Sequence, residues 1–326
     1  MYFPAKTIDD LLNAVLRHII DNGESVNPTK GANREVFGAA LMLENPRARL
    51  SQTESRGKAF SAIGEFLWYL SGTNQLDFIE YYLPSYNVYS DDGKTVHGGY
   101  GSRLFGEKSG INQIENIVNM LKNKPSSRQA VIQIFESSDI AKPHKDVPCT
   151  CTMQFVIRDD KLKMAVHMRS NDVYIGLPHD IFSFTMLQEL IARELGVELG
   201  TYHHMVGSIH LYDKDRDKAE SYLKEGFQSL EVAMPELPLG PQWEQIEFVM
   251  ELEKQLREEQ SINMECYNSL NEYWKDIVLL LQIHAKFQAD DIESVFYLNQ
   301  ELNYDGYRTF VEDKIRRINI VNGKDN

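Results

Sequence analysis

The chain has 326 residues, 42% hydrophobic and 10% aromatic, with 48 acidic against 34 basic side chains and a formal charge of −14. That length permits one large domain or a domain with an appendage, while the acidic balance excludes a general binder of nucleic-acid phosphates, which needs clustered Lys and Arg. Three cysteines cannot all pair, nothing at the amino terminus resembles a secretory leader, and no apolar run approaches the ~20 residues of a membrane span, so a reducing cytoplasmic compartment is expected.

In chain order, Ile8, Leu11, Leu12, Val15, Leu16 and Ile19 make a helical stripe over Thr7 to Ile20, with Thr7 as N-cap, Asp9 and Asp10 at the positive end and Gly23 as the stop. A polar loop holding Lys30 and Arg34 precedes a strand from Glu35 to Leu43. Ser55 to Leu70 reads as a helix in which Glu65 lies among Phe66, Trp68 and Tyr69, a costly place for a carboxylate without partners or a task. Residues 77–106 are rich in Tyr and Gly and contain Gly98-Gly99-Tyr100-Gly101. Ile111 to Leu121 is another stripe, and Arg128 leads into an alternating strand from Ala130 to Phe135.

The stretch from Pro148 to Asp180 organises the rest. Alternating residues from Cys149 onward, an Asp159-Asp160 turn and a second strand from Lys161 to Met168 predict an antiparallel hairpin, at whose open end the Cys149 thiol meets Arg169 and Ser170. Cys149-x-Cys151 has no second cysteine pair or suitably spaced histidine pair, so no metal is expected. Ile181 to Leu195 reads as an apolar helix closed by Gly196, Gly200 to Tyr212 as a strand bearing His203, His204 and His210, and Asp213 to Gly226 as a helix. Pro235, Pro238, Gly240 and Pro241 punctuate a linker that divides the chain into residues 1–235 and a helical extension, 236–326. The extension carries helical patterns from Trp243 to Gln260 and from Asn271 to Phe287, with 18 acids to 9 bases, so the acidic excess is concentrated there.

Pro148-Cys149 followed by Gln154-Phe155, Arg169-Ser170-x-Asp172 with Gly176 beyond it, and His210-x-Tyr212 resemble the thymidylate synthases over residues 7 to 215. Thr150 and Asp180 stand where synthases carry His and Asn, and the run Met168-Arg169-Ser170-Asn171-Asp172-Val173 is most similar to the deoxycytidylate and cytidylate hydroxymethylases. The resemblance implies an α/β (α+β) fold, a mixed sheet with flanking helices, extended here by the C-terminal helices and assembled as a homodimer. It also implies a pyrimidine nucleoside monophosphate as substrate and 5,10-methylenetetrahydrofolate as cofactor. Cys149 is then the nucleophile, Glu65 the organiser of protons and water, and Tyr100 an assistant beside the thiol. Arg169, Ser170 and Gln154 would hold phosphate, joined by Arg128 from a second subunit and by Lys30 or Arg34 from the loop. His210 and Tyr212 would hold the sugar hydroxyl, and Asp172, with Gly176 beyond it, the folate ring. Two departures stand out: Gln129 replaces a second interface arginine, and Tyr86-Asn87-Val88-Tyr89 replaces tryptophans that pack on the folate.

Carbon-5 of a pyrimidine is a poor nucleophile until something adds at carbon-6, a task suited to a thiolate. Arg169 is expected to lower the Cys149 pKa. A carboxylate at Asp180 only accepts hydrogen bonds, which suits the amino group and a protonated ring nitrogen of cytosine, whereas uracil would present a carbonyl oxygen. The expected activity is therefore hydroxymethylation of dCMP or CMP. Its rivals are methylation of dUMP and a catalytically inactive nucleotide-binding or assembly protein, for which Cys149→Ala would change nothing.

Overall fold

The computed structural model describes residues 1–28, 30–55, 57–106 and 110–321. The elements run β1 (Tyr2–Ala5), α1 (Ile8–Asn22), β2 (Glu24–Val26), β3 (Asn33–Leu43), α2 (Ala59–Leu70), α3 (Leu76–Tyr82), α4 (Gly101–Leu104), α5 (Gln113–Asn123) and β4 (Val131–Gln133). They continue with β5 (Thr150–Arg158), β6 (Lys161–Asp172), α6 (Gly176–Leu195), β7 (Glu198–Tyr212) and α7 (Arg216–Lys224). The last five helices are α8 (Trp243–Arg257), α9 (Met264–Ser269), α10 (Glu272–Gln288), α11 (Ile292–Gln300) and α12 (Asp305–Val321).

The strands form one seven-stranded mixed sheet in the order β1-β3-β7-β6-β5-β4, with β2 beside β3. The β1/β3 and β6/β7 pairs are parallel and the others antiparallel. Strand periodicity decides its two faces. Leu41, His204, Val166, Met153 and Ile132 lie across the sheet in one row, all buried under the helices. The adjacent row, Ala40, Met205, His167, Thr152 and Gln133, faces the other way and is open to solvent or only half-covered. Phe37, 82% exposed, and Val131 add apolar surface to the uncovered side of the sheet.

Most predicted elements appear with shifted ends. Thr7 caps α1 by accepting from the Asp10 amide at 3.2 Å. The second helix begins at Ala59 rather than Ser55, and α6 begins at Gly176 rather than Ile181, so Asp180 lies inside the helix instead of ahead of it. The Asp159-Asp160 turn takes φ of 54° and 55° at its two residues, the positive pair that a tight hairpin matching strand twist requires.

The C-terminal helices share one core with the sheet-bearing half. The α10 helix is buried nearly all round, including Trp274, Ile277, Val278 and Leu281, as a helix apolar on every side must be. Tyr82 donates to Glu253 at 3.0 Å, Trp243 Nε1 to Glu194 at 2.7 Å, and Arg316 to Glu54 at 2.6 Å. Among the described residues, no helix is long and apolar enough to cross a membrane.

Candidate active site

The hairpin delivers Cys149 to the end of β5, against Arg169 of β6. The Arg169 amide donates to the Cys149 carbonyl at 2.8 Å, while its guanidinium donates to the Pro148 and Val147 carbonyls at 3.0 and 2.8 Å. The same guanidinium reaches the thiol, with Nη2 3.7 Å from Sγ. The register slips between Thr150 and Thr152, a bulge that re-aims the strand end, and Tyr100 serves it by accepting from the Thr150 amide at 3.2 Å and hydroxyl at 3.0 Å. Arg169 lowers the thiol pKa, as the sequence led us to expect, but burial outweighs it. Burial pushes it up to about 11, Arg169 opposes this, and the carboxyls of Asp146 and Asp180 add to the rise.

Glu65, on the buried face of α2, is 6% exposed. Its Oε1 accepts from the hydroxyls of Tyr69 at 2.9 Å and Tyr86 at 3.2 Å. Burial raises its pKa to about 7 against those two bonds. Asp180 accepts from Asn171 Nδ2 at 2.6 Å, and burial followed by the nearby Glu65 charge drives its pKa well above the ordinary carboxylate range. Asp180 is thus pushed toward the neutral acid, the form that would offer one hydroxyl and one carbonyl, rather than held as a carboxylate by a cation. Asp172 accepts the Tyr174 and Ile175 amides at 2.9 and 3.3 Å through Oδ1, ordering the entry to α6. A Cβ built on Gly176 would lie 3.7 Å from Asp180 and 3.8 Å from Asp172, so the glycine lines the space between them.

His210 and Tyr212 lie at the end of β7, rings edge to face at 4.9 Å. Burial lowers the His210 pKa while Asp172 opposes it, and burial, then Asp172, raises that of Tyr212 to about 12. Ser170 pairs across the sheet with Ser208, which donates to Glu35. Lys30 stands 4.5 Å over the Tyr89 ring and its charge is felt by Cys149 and Asp146.

Three residues expected at the phosphate are not brought to the thiol within this chain. Arg34 is turned toward α1, donating to the Gly23 carbonyl at 2.7 Å, because its strand position faces the helix layer. Gln154 is carried along β5, where Nε2 donates to the Arg128 carbonyl at 2.9 Å. Arg128 is exposed at the strand edge beside it.

Sequence reasoning missed Tyr69, Tyr86, Asn171 and Asp146. Tyr69 stands one helical turn beyond Glu65 and Asn171 lies inside the Arg-Ser motif, so local signals existed for both; Tyr86 was noted only as standing where the family has folate-packing tryptophans, and Asp146 had no signal. Also unforeseen is how the segment before the thiol is clasped. Arg103 donates twice to Asp139 at 2.8 Å, His97 meets Asp139 and His144 meets Asp91 at 2.9 Å each, and the two imidazoles stack at 3.6 Å.

The thymidylate synthase family model matches residues 11–268. A similar curated protein, the deoxyuridylate hydroxymethyltransferase of Bacillus phage SP01, is 27% identical over 299 residues, covering 88% of this chain and 76% of the relative. Such enzymes transfer a one-carbon unit to a pyrimidine nucleotide, draw it from a folate and are typically dimeric. With the matched model spanning most of the chain, and with thiol, arginine and buried carboxyls gathered at one hairpin end, the chain belongs to the thymidylate synthase family.

Proposed function

We propose that the chain is a folate-dependent cytidylate 5-hydroxymethylase, acting on dCMP or CMP as a homodimer. The observation that carries this reading is Asp180: an acid, with Asn171 taking only Oδ2, in a pocket whose burial pushes it toward the protonated form. A neutral acid mates with cytosine by donating its proton to the ring nitrogen and accepting from the amino group. The pair carries the same proton count as a carboxylate facing a protonated cytosine, so recognition can draw the proton onto the ring and make carbon-6 more electrophilic.

Cys149 adds to carbon-6. With its resting pKa near 11, the thiol reacts as the thiolate only when its proton is removed or the bound nucleotide alters its surroundings. Glu65, poised near 7 beneath two tyrosine hydroxyls, is suited to hand protons to and from the ring system at neutral pH. Arg169, Ser170 and Lys30 supply the phosphate side, and His210 and Tyr212 the sugar side. Asp172 fits a folate ring: Oδ1 is spent on backbone amides, leaving Oδ2 to accept ring and amino N–H groups, with Gly176 keeping the approach open. Methylenetetrahydrofolate, when bound, supplies a one-carbon unit to carbon-5. The uncovered sheet face suits a second copy of the chain, which would place Arg128 and Gln154 at the boundary between subunits.

A second reading is favoured by two observations. A protonated Asp180 offers a donor and an acceptor as an amide does, which also suits the carbonyl and ring N–H of uracil, and the similar phage enzyme is a deoxyuridylate hydroxymethyltransferase. Incubation with dCMP, CMP and dUMP plus methylenetetrahydrofolate, with product masses, decides between them. Hydroxymethylated cytidylate is expected, and turnover of dUMP alone would replace the first reading by the second.

A further inference from the structure

Of the four carboxyls around the thiol, three have donors within the chain: Glu65 two tyrosine hydroxyls, Asp180 an asparagine amide, Asp172 two backbone amides. Asp146 accepts no hydrogen bond among the described residues. Asp146 is half-buried, so its oxygens keep access to water, and a carboxyl with no donor in the protein can take a water molecule as its partner. Its position is nevertheless firmly built. Lys145, its neighbour, donates from the backbone to Asp91 at 3.0 Å and from Nζ to the Ser90 carbonyl at 2.8 Å, and Arg169 holds the next two carbonyls. Gly98 packs so closely that an added Cβ would meet Asp146 Oδ2 at 2.1 Å. Asp146 thus stands three residues before the thiol, within electrostatic reach of Tyr86, Tyr89, Lys30 and Arg169.

Hydroxymethylation ends in a step that methylation lacks, the addition of water to the exocyclic carbon, and that water must lose a proton. Resting on the hydroxymethylase reading above, we propose that Asp146 is the general base for this water, a catalytic role separate from that of Glu65. The water oxygen bonds to the exocyclic carbon and its proton passes to an Asp146 oxygen. The exocyclic double bond shifts to join carbons 5 and 6, and the bond from carbon-6 to sulfur breaks with its electron pair leaving on Cys149. Nothing is oxidised or reduced. Burial raises the Asp146 pKa while Lys30 and Arg169 oppose this, which suits a base that must take up a proton and release it.

The test uses full-length Asp146→Asn with the nucleotide that the wild type hydroxymethylates. Exchange of the carbon-5 hydrogen with solvent, measured without folate, reads thiol addition alone and should not fall below the wild-type level, because losing the Asp146 charge removes one influence that raises the Cys149 pKa. Formation of the hydroxymethyl product should fall roughly a hundredfold or more. Added 2-mercaptoethanol, which attacks without needing this base, should trap the exocyclic carbon as a thioether visible by mass. Asp146→Ala should regain hydroxymethylation with formate, a carboxylate small enough for the vacated space. Wild-type hydroxymethylation by Asp146→Asn would overturn the assignment, and so would parallel loss of carbon-5 exchange, which would place Asp146 at the thiol step or in folding. A wild-type enzyme that makes no hydroxymethyl product from any nucleotide would instead defeat the functional reading itself.

Discussion

Asp139 and Glu65 are both shut away from solvent, yet the first lies at about 2 and the second at about 7. Burial alone would raise both. Around Asp139 the two N–H groups of Arg103, the Glu136 amide and His97 outweigh it; around Glu65 there are only two phenols and no cation. Glu189, also fully buried, has Arg49, Arg47 and the Leu237 amide converging on it. Asp139 and Glu189 are met by arginines, whereas Glu65 and Asp180 in the pocket are met only by neutral donors, which leaves burial to push them toward the proton-holding form.

Breaking the pocket side should give the largest effect. Glu65→Gln should lower kcat roughly a hundredfold to ten-thousandfold under the proposed function, measured with the preferred nucleotide and folate. The same variant sharpens the contrast in stability. Because the folded Glu65 holds a proton that the unfolded chain releases near 4.5, wild-type stability should decline as pH rises from about 4.5 to about 7. Urea unfolding at pH 8 should show Glu65→Gln about 3 kcal/mol more stable than wild type, with no difference near pH 4.

On the framework side, Arg49→Met leaves the buried Glu189 without its closest cation and should cost about 3 to 5 kcal/mol in denaturant unfolding. Asp139→Asn should cost about 2 kcal/mol above pH 4. That difference should vanish as pH falls through about 2, because the folded Asp139 gives up its favourable charge only there. Its pH dependence therefore has the opposite sign to that of Glu65. The smallest effect belongs to Tyr86→Phe, which removes one donor to Glu65 and should raise its pKa by about one unit, seen as an upward shift of one limb of the pH–rate profile.

Much of this was legible in the residues. The hairpin followed from alternation and Asp159-Asp160, and its geometry put Cys149 and Arg169 together because cross-strand neighbours are set by register. Glu65 stood out as a charge in an aromatic run. What the sequence concealed are contacts between residues far apart in the chain. The Tyr86 bond to Glu65 spans 21 positions, the Tyr82 bond to Glu253 spans 171, and the proximity of Asp146 to Gly98 depends on how two loops fold together. The linker near Pro238 marked a change in pattern, and the helices beyond it pack into the core that the sheet begins.

The electrostatics divide in the same way. Residue types and spacing alone determined that a thiol and a guanidinium would meet at the end of one hairpin, because strand pairing is a local rule; the carboxyls were placed beside them only by the resemblance to the family. Only the tertiary structure decided that the thiol is pushed up to about 11 despite its arginine, that Asp180 is pushed toward the neutral acid, and that Asp146 has no donor among the described residues. Those states are fixed by how much water the surrounding elements exclude and which dipoles they turn inward, and both depend on the whole fold.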